Sequence, residues 1–200
     1  IVLNDLLLVE GINSVSRNSG DSGVIAATCF CRKGHRALCS LYSEPEASHV
    51  THGHHLFRTA ALAMGCTVEE WNCNMKPGDY PDAKLKQFAK EFAKGKHPCT
   101  GIYVSSSVSA IILMEEFAKL GIHVPEDVSI ISLGDNSAAE QHGLTVLSHI
   151  SRETAAETMK IAATLLHSRS NRGKFLQKEC TPILIERNSV KIITNKEKQL

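Results

Sequence analysis

The chain is predicted to be an α/β protein built on parallel sheet, and three observations predict it. Short apolar runs alternate with helical stretches. Four of the helical stretches end on a glycine, and only 5% of the residues are aromatic. The strands therefore read as plain aliphatic runs, the pattern of strands covered on both faces by crossover helices.

The elements follow in order. Ser22 to Lys33 reads as a helix stopped at Gly34, and Ala37 to Leu41 as a buried strand. Leu56 to Met64 is helical up to Gly65, and Thr67 to Cys73 is extended. Pro81 to Lys94 is an amphipathic helix with Leu85, Phe88, Ala89 and Phe92 on one face, closed by Gly95. Gly101 to Ser105 is strand-like, Ser107 opens a helix through Leu120 that Gly121 ends, and Val128 to Ile131 is a further strand. From Leu144 the rhythm changes. An extended crossing segment runs to Ile150, a helix spans about Glu153 to His167, and a polar Ser-Arg-Ser-Asn-Arg-Gly turn leads to β runs at Pro182–Glu186 and Val190–Thr194.

Composition narrows the function classes. The 200 residues carry 22 Lys+Arg against 21 Asp+Glu, a net charge of +1, and 42% are hydrophobic. That is a globular chain without the cationic excess that wraps nucleic acid or holds an anionic membrane. The longest apolar runs, Val24–Phe30 and Ile111–Met114, fall far short of the roughly 18–20 residues that span a bilayer. Cys29, Cys31, Cys39, Cys66, Cys73, Cys99 and Cys180 form an odd set without C-x-x-C spacing, which fits free thiols in the cytoplasm better than a disulfide frame or a zinc site. Ile1 opens within an apolar strand-like run and no Met precedes it, so the chain reads as part of a longer one.

Three short patterns invite a chemical reading. Gly20-Asp21-Ser22-Gly23 spells a serine-protease nucleophile loop, but no His lies upstream of it, and it reads instead as a helix start with small residues. His49, His52, His54 and His55 could offer imidazoles to zinc or nickel, with His52 and His55 on one face of a helix; lacking a carboxylate or Cys pattern, they read as a polar loop entering a helix. Ser105-Ser106-Ser107 follows a parallel strand at its C-terminal end, where open α/β sheets bind ligands. Ser107 there either meets a polar small molecule or caps its own helix. No cofactor or metal site is expected.

Four stretches together carry a resemblance to a known family: Gly34-His35-Arg36 before a strand, Leu120-Gly121-Ile122-His123-Val124-Pro125-Glu126-Asp127-Val128-Ser129-Ile130-Ile131, Leu144-Thr145-Val146, and Ile185-Glu186-Arg187-Asn188-Ser189. They resemble the effector-binding domain of LacI/GalR transcriptional regulators over nearly the whole chain. The resemblance implies a two-lobed, type I periplasmic-binding-protein-like α/β fold, Rossmann-like parallel sheets with flanking helices, and an incomplete first lobe. Its expected division is residues 1–43 plus 149–173 in the N-terminal lobe and 44–148 plus 174–200 in the C-terminal lobe. Crossings then fall near Leu41–Glu44, Ser148–Ile150 and Gly173–Phe175.

The same resemblance implies a ligand site at Asn18, Tyr80, Ser106, Ser107, Asp135 and His149. It also shows departures. Gly53 stands where the family often has Arg, Ser106-Ser107 where an Asn-Asp pair is usual, and Ser132-Leu133-Gly134-Asp135 where Gly-Phe-Asp-Asp is common. A neutral, hydrogen-bonding pocket suits an uncharged or weakly polar metabolite.

The function expected is effector sensing and dimerisation in a bacterial regulator that binds and does not catalyse. A sugar-like or nucleoside-like small molecule is the effector, a homodimer is the assembly, no membrane is involved, and operator DNA is met through a head that precedes Ile1. A solute-binding protein of a sugar transporter is the alternative, a winged-helix GntR-type head a variant, and an enzyme of this fold the third reading.

Overall fold

The computed structural model describes residues 3–5, 10–17, 19–42, 48–73, 82–148, 151–167 and 175–194. Their elements run β1 (Leu3–Asp5), β2 (Ser14–Arg17), α1 (Ser19–Arg32), β3 (Ala37–Tyr42), α2 (Ser48–Ala63), β4 (Thr67–Asn72), α3 (Asp82–Phe92), β5 (Gly101–Val104), α4 (Ser107–Lys119), β6 (Ser129–Leu133), α5 (Ser137–Gln141), β7 (Thr145–Ser148), α6 (Ser151–His167), β8 (Gln177–Cys180) and β9 (Ile183–Ile185). The α/β class is as the sequence predicts.

These strands form two sheets. The smaller has the order β1-β2-β8, all parallel. The larger has the order β4-β3-β5-β6-β7-β9, parallel except for β9, which runs antiparallel to β7. The order puts β3, β5 and β6 in the middle, where the registers Leu41↔Val104 and Ile102↔Ile130 align aliphatic residues across the sheet.

Each face of the larger sheet has its own core. On one, Cys39, Leu41, Ile102, Val104, Ile130 and Val146 pack under α3 and α4, whose Leu85, Phe88, Leu113 and Phe117 are fully buried. On the other, Leu38, Tyr103, Ile131 and Leu147 meet Phe30 of α1 and Phe57 of α2. Burying each such side chain contributes about 1.5–3 kcal/mol. In the smaller sheet Val15 and Cys180 pack with Ile161 of α6.

The helices α1 and α2 approach backbone to backbone. A Cβ on Gly23 would sit on the Gly53 carbonyl oxygen and 2.7 Å from the Phe57 nitrogen, so glycine at this crossing lets the two helices touch. Gly34 ends α1 at φ +93° with its nitrogen donating to the Cys31 carbonyl, the left-handed helix stop expected there. His35, which follows, is buried. Its Nε2 donates to the Lys191 carbonyl at 3.2 Å, and its Nδ1 lies 2.9 Å from the Thr100 hydroxyl.

That anchoring moves the expected division of the chain. Residues 37–42, assigned by the sequence to the first lobe, form β3 between β4 and β5 of the larger sheet, and residues 177–180, assigned to the second, form β8 beside β2. The chain passes between sheets after Arg17, after Ser148 and after Cys180. The Gly-His-Arg turn is bonded to Thr100 just before β5, to Thr67 of β4 and to Lys191 after β9, which ties the end of α1 and the start of β3 to the larger sheet.

Other boundaries differ for local reasons. The histidine-rich stretch is not a loop but the opening of α2, which begins at Ser48, because Gly53 and His54 face inward against α1 and β3. The β8 segment Gln-Lys-Glu-Cys is polar and mostly exposed, so no apolar run announces it. Val190–Thr194 is not a strand. Its Lys191 nitrogen donates to the Ser129 hydroxyl and its Ile193 nitrogen to the Lys33 carbonyl, partners a side chain and a helix end supply.

Candidate ligand-binding site

Because β3 to β7 are parallel, their C-terminal ends share one edge of the larger sheet, where Tyr42, Asn72, the Ser105–Ser107 run, the Gly134–Asn136 loop and Ser148 stand together. Such an edge is where open α/β sheets take ligands, since the following loops and helix starts are free of ladder bonding.

Ser106, and not Ser107, is the N-cap of α4. Its backbone is extended at φ −144° and ψ 136°, and its side chain makes no capping bond. Ser107 is the first helical residue; it is buried, and its Oγ accepts from Asn136 Nδ2 at 3.0 Å. Asn136 Oδ1 in turn accepts from the Ala139 nitrogen at 2.8 Å and caps α5. One amide thus ties the starts of two helices together, and the Ser106 hydroxyl is left to other partners.

Asp135 is held in an ion pair. Its Oδ1 accepts from Arg187 Nη2 at 2.9 Å, while Arg187 Nη1 donates to the Leu144 carbonyl at 2.9 Å. The carboxylate therefore fastens the loop after β6 to the segment after β9. Beside it Gly134, at the position of the family's first carboxylate, presents no side chain; a Cβ there would lie 3.6 Å from Ser107 Oγ. The edge formed by Ser106, Ser107, Gly134 and Asn136 is accordingly neutral.

A second feature of the edge escapes the motif comparison. Tyr42, at the end of β3, packs on His54 of α2 with ring centroids 4.8 Å apart; His54 packs on Tyr103 at 4.9 Å, and Tyr103 stacks on Phe57 at 4.9 Å. His54 is buried, its Nδ1 hydrogen-bonds the Ser40 hydroxyl, and burial pushes its pKa down to about 3, so the ring is neutral. Tyr42 ends β3 as Ser105 follows β5, so the preference of open α/β sheets for ligands at strand ends marks both positions.

Asn18, Tyr80 and His149 lie outside the described residues. The remaining candidates do not converge. His52 and His55 are exposed while His54 faces the core, and among the described residues no group of three or more His, Cys, Asp or Glu could hold a metal ion. Ser22 of the Gly-Asp-Ser-Gly pattern is buried inside α1. Among the described residues no helix is long and apolar enough to cross a membrane.

Two mainly parallel sheets, three chain passages between them and a polar edge at the strand ends define the class: a periplasmic-binding-protein-like ligand-binding domain. The family model described as "Periplasmic binding protein-like domain" matches residues 27–190, and the chain belongs to that family. The resemblance to LacI/GalR effector-binding domains is borne out by its relatives. The HTH-type transcriptional repressor PurR of Photobacterium profundum is 23% identical over 181 residues, 90% of this chain and 53% of that protein. PurR of Vibrio cholerae is 24% identical over 88% of this chain and 52% of its own length. The chain thus spans about half the length of the curated relatives it matches.

Solved structures share the fold. A LacI family regulator from Enterococcus faecium with bound ribose superposes with a TM-score of 0.76 at 18% identity, covering 96% of this chain and 71% of that one. One from Bifidobacterium animalis gives 0.79 at 19% identity over 96% and 69%. A periplasmic binding protein/LacI transcriptional regulator from Alkaliphilus metalliredigens complexed with D-xylulofuranose gives 0.74 at 18% identity over 96% and 70%.

Proposed function

We propose that the chain is the effector-sensing and dimerising part of a cytoplasmic LacI/GalR-type transcriptional regulator. It binds a small uncharged metabolite, sugar-like or nucleoside-like, at the C-terminal edge of the larger sheet, and it acts by binding and not by catalysis. The observation that carries this reading is the neutral edge itself, in which the Ser106 hydroxyl is not used for capping and Asp135 is neutralised by Arg187.

Asn18, Tyr80 and His149 complete the pocket in this reading, with Ser106 and Ser107 as hydrogen-bonding groups. The two sheets then belong to two lobes, and the ligand shifts the balance between their open and closed arrangements in a homodimer. Operator DNA is met by residues outside these 200, consistent with a net charge of only +1. The solved relatives with ribose and D-xylulofuranose support a sugar-sized ligand. Determining the coding sequence upstream of Ile1 tests the assignment. A helix-turn-helix there supports a regulator, whereas a secretory signal peptide means a transporter's solute-binding protein and overturns it.

A further inference from the structure

We infer that Tyr42 is a specificity-determining residue of the cleft, an aromatic platform on which a neutral ligand lays its apolar face. The inference rests on the reading of the strand-end edge as the ligand site. It adds to that reading a residue that the family motifs do not assign and the ligand chemistry the residue selects.

Tyr42 ends β3, and the Ser105 nitrogen that follows β5 donates to the Leu41 carbonyl at 3.1 Å, so Tyr42 stands beside the serine run at the same edge. Its side chain is half-buried, whereas the next two rings, His54 and Tyr103, are 2% and 0% exposed. The column Tyr42, His54, Tyr103, Phe57 therefore runs from the edge into the core, and Tyr42 is its outermost and least buried ring. His54 is fixed by its bond to Ser40 and its place on α2, so the platform is rigid and does not need ordering when a ligand arrives.

The complementary chemistry follows. An aromatic face attracts the C–H face of a sugar ring or the flat face of a base, and the neighbouring serines supply hydroxyl partners without charge. The selected class is a neutral ligand with one apolar face and several hydroxyls. A free pentose and a ribonucleoside both meet that description, and they differ in which face they offer.

The test titrates the protein with D-ribose, D-xylose, uridine and adenosine, following heat by calorimetry and the 13C-labelled tyrosine rings by NMR. In the wild-type chain the Tyr42 ring signals are expected to shift on saturation while those of buried Tyr103 stay put. Tyr42→Phe, which keeps the ring, should bind within about threefold of wild type, and Tyr42→Leu should lose about tenfold. Stronger binding of the nucleosides than of the pentoses identifies a base on the platform; the reverse identifies a sugar face.

Binding by the wild type that leaves the Tyr42 signals unmoved overturns the inference even if Tyr42→Leu folds poorly. Equal affinity of a folded Tyr42→Leu, together with a loss in Ser106→Ala, overturns it while the ligand-binding reading stands. Absence of binding by all four compounds to the wild type overturns both.

Discussion

Asp135 and Arg187, 52 positions apart, are joined at 2.9 Å, and the joint closes the loop after β6 onto the segment after β9. A carboxylate that motif comparison places in the ligand site is thus fastened to the scaffold. Both side chains are partly buried, so the pair is screened less than a fully exposed one. Asp135→Asn is expected to lower stability by about 1–3 kcal/mol, and a double-mutant cycle with Arg187→Met should return a coupling of similar size. Denaturant unfolding of the four proteins measures it.

Ser189 makes a second fastening close by. Its Oγ donates to the Ile130 carbonyl at 2.6 Å and accepts from the Thr145 nitrogen at 2.8 Å, tying the segment after β9 to β6 and β7 from a fully enclosed position. Ser189→Ala leaves a buried N–H and a buried carbonyl short of a partner. A loss of about 1–3 kcal/mol is expected in urea unfolding.

The helix crossing gives a paired prediction on glycine. Gly23→Ala drives a methyl into the Gly53 carbonyl and should destabilise by more than 3 kcal/mol or prevent folding, on the order of a severe overpacking defect. Gly65→Ala meets nothing within 4 Å, and its only penalty is the left-handed backbone at φ +77°, about 1 kcal/mol. Thermal melts of the two variants distinguish clash from strain.

Buried neutral histidines make the fold sensitive to acid. Burial pushes the His35 pKa down to about 4 and the His54 pKa to about 3, both below the ordinary 6.5 of an unfolded chain. Below pH 6.5 the unfolded state therefore binds more protons than the folded one. The stability these groups contribute is full above pH 6.5 and is lost as the pH falls toward 4 and 3. Each ring should add a slope of about 1.4 kcal/mol per pH unit in that window. In His35→Gln the slope measured by urea unfolding between pH 6 and 4.5 should drop by one ring's share.

What the sequence discloses follows from how the information is written. Aliphatic strands such as Gly101–Val104 and Ser129–Leu133, and helices stopped by Gly34 or Gly121, are local patterns and were legible to within a few residues. The β8 strand was not, because Gln-Lys-Glu-Cys has the polarity of a loop and becomes a strand only by pairing with Ser14–Arg17, more than 160 residues away. Nor was the membership of β3 in the larger sheet, which rests on its pairing with β4 and β5 some 30 and 63 positions further along the chain.

The site divides in the same way. That a polar Ser105-Ser106-Ser107 edge exists could be read from the strand preceding it. That Asp135 is bound by Arg187, that the Ser107 hydroxyl is taken by Asn136, the cap of α5, and that His54 turns inward under Tyr42 are products of long-range packing. No local pattern of residues encodes them.

Ligand binding at the neutral edge is tested most directly by thermal unfolding of the 200-residue chain with and without pentoses and ribonucleosides. A compound present at a hundred times its Kd should stabilise the chain by about 2.7 kcal/mol, an upward shift of several degrees in Tm, and Ser106→Ala should diminish the shift. Unchanged Tm values across neutral pentoses and ribonucleosides, or a shift produced by charged sugar phosphates alone, would contradict a neutral effector site.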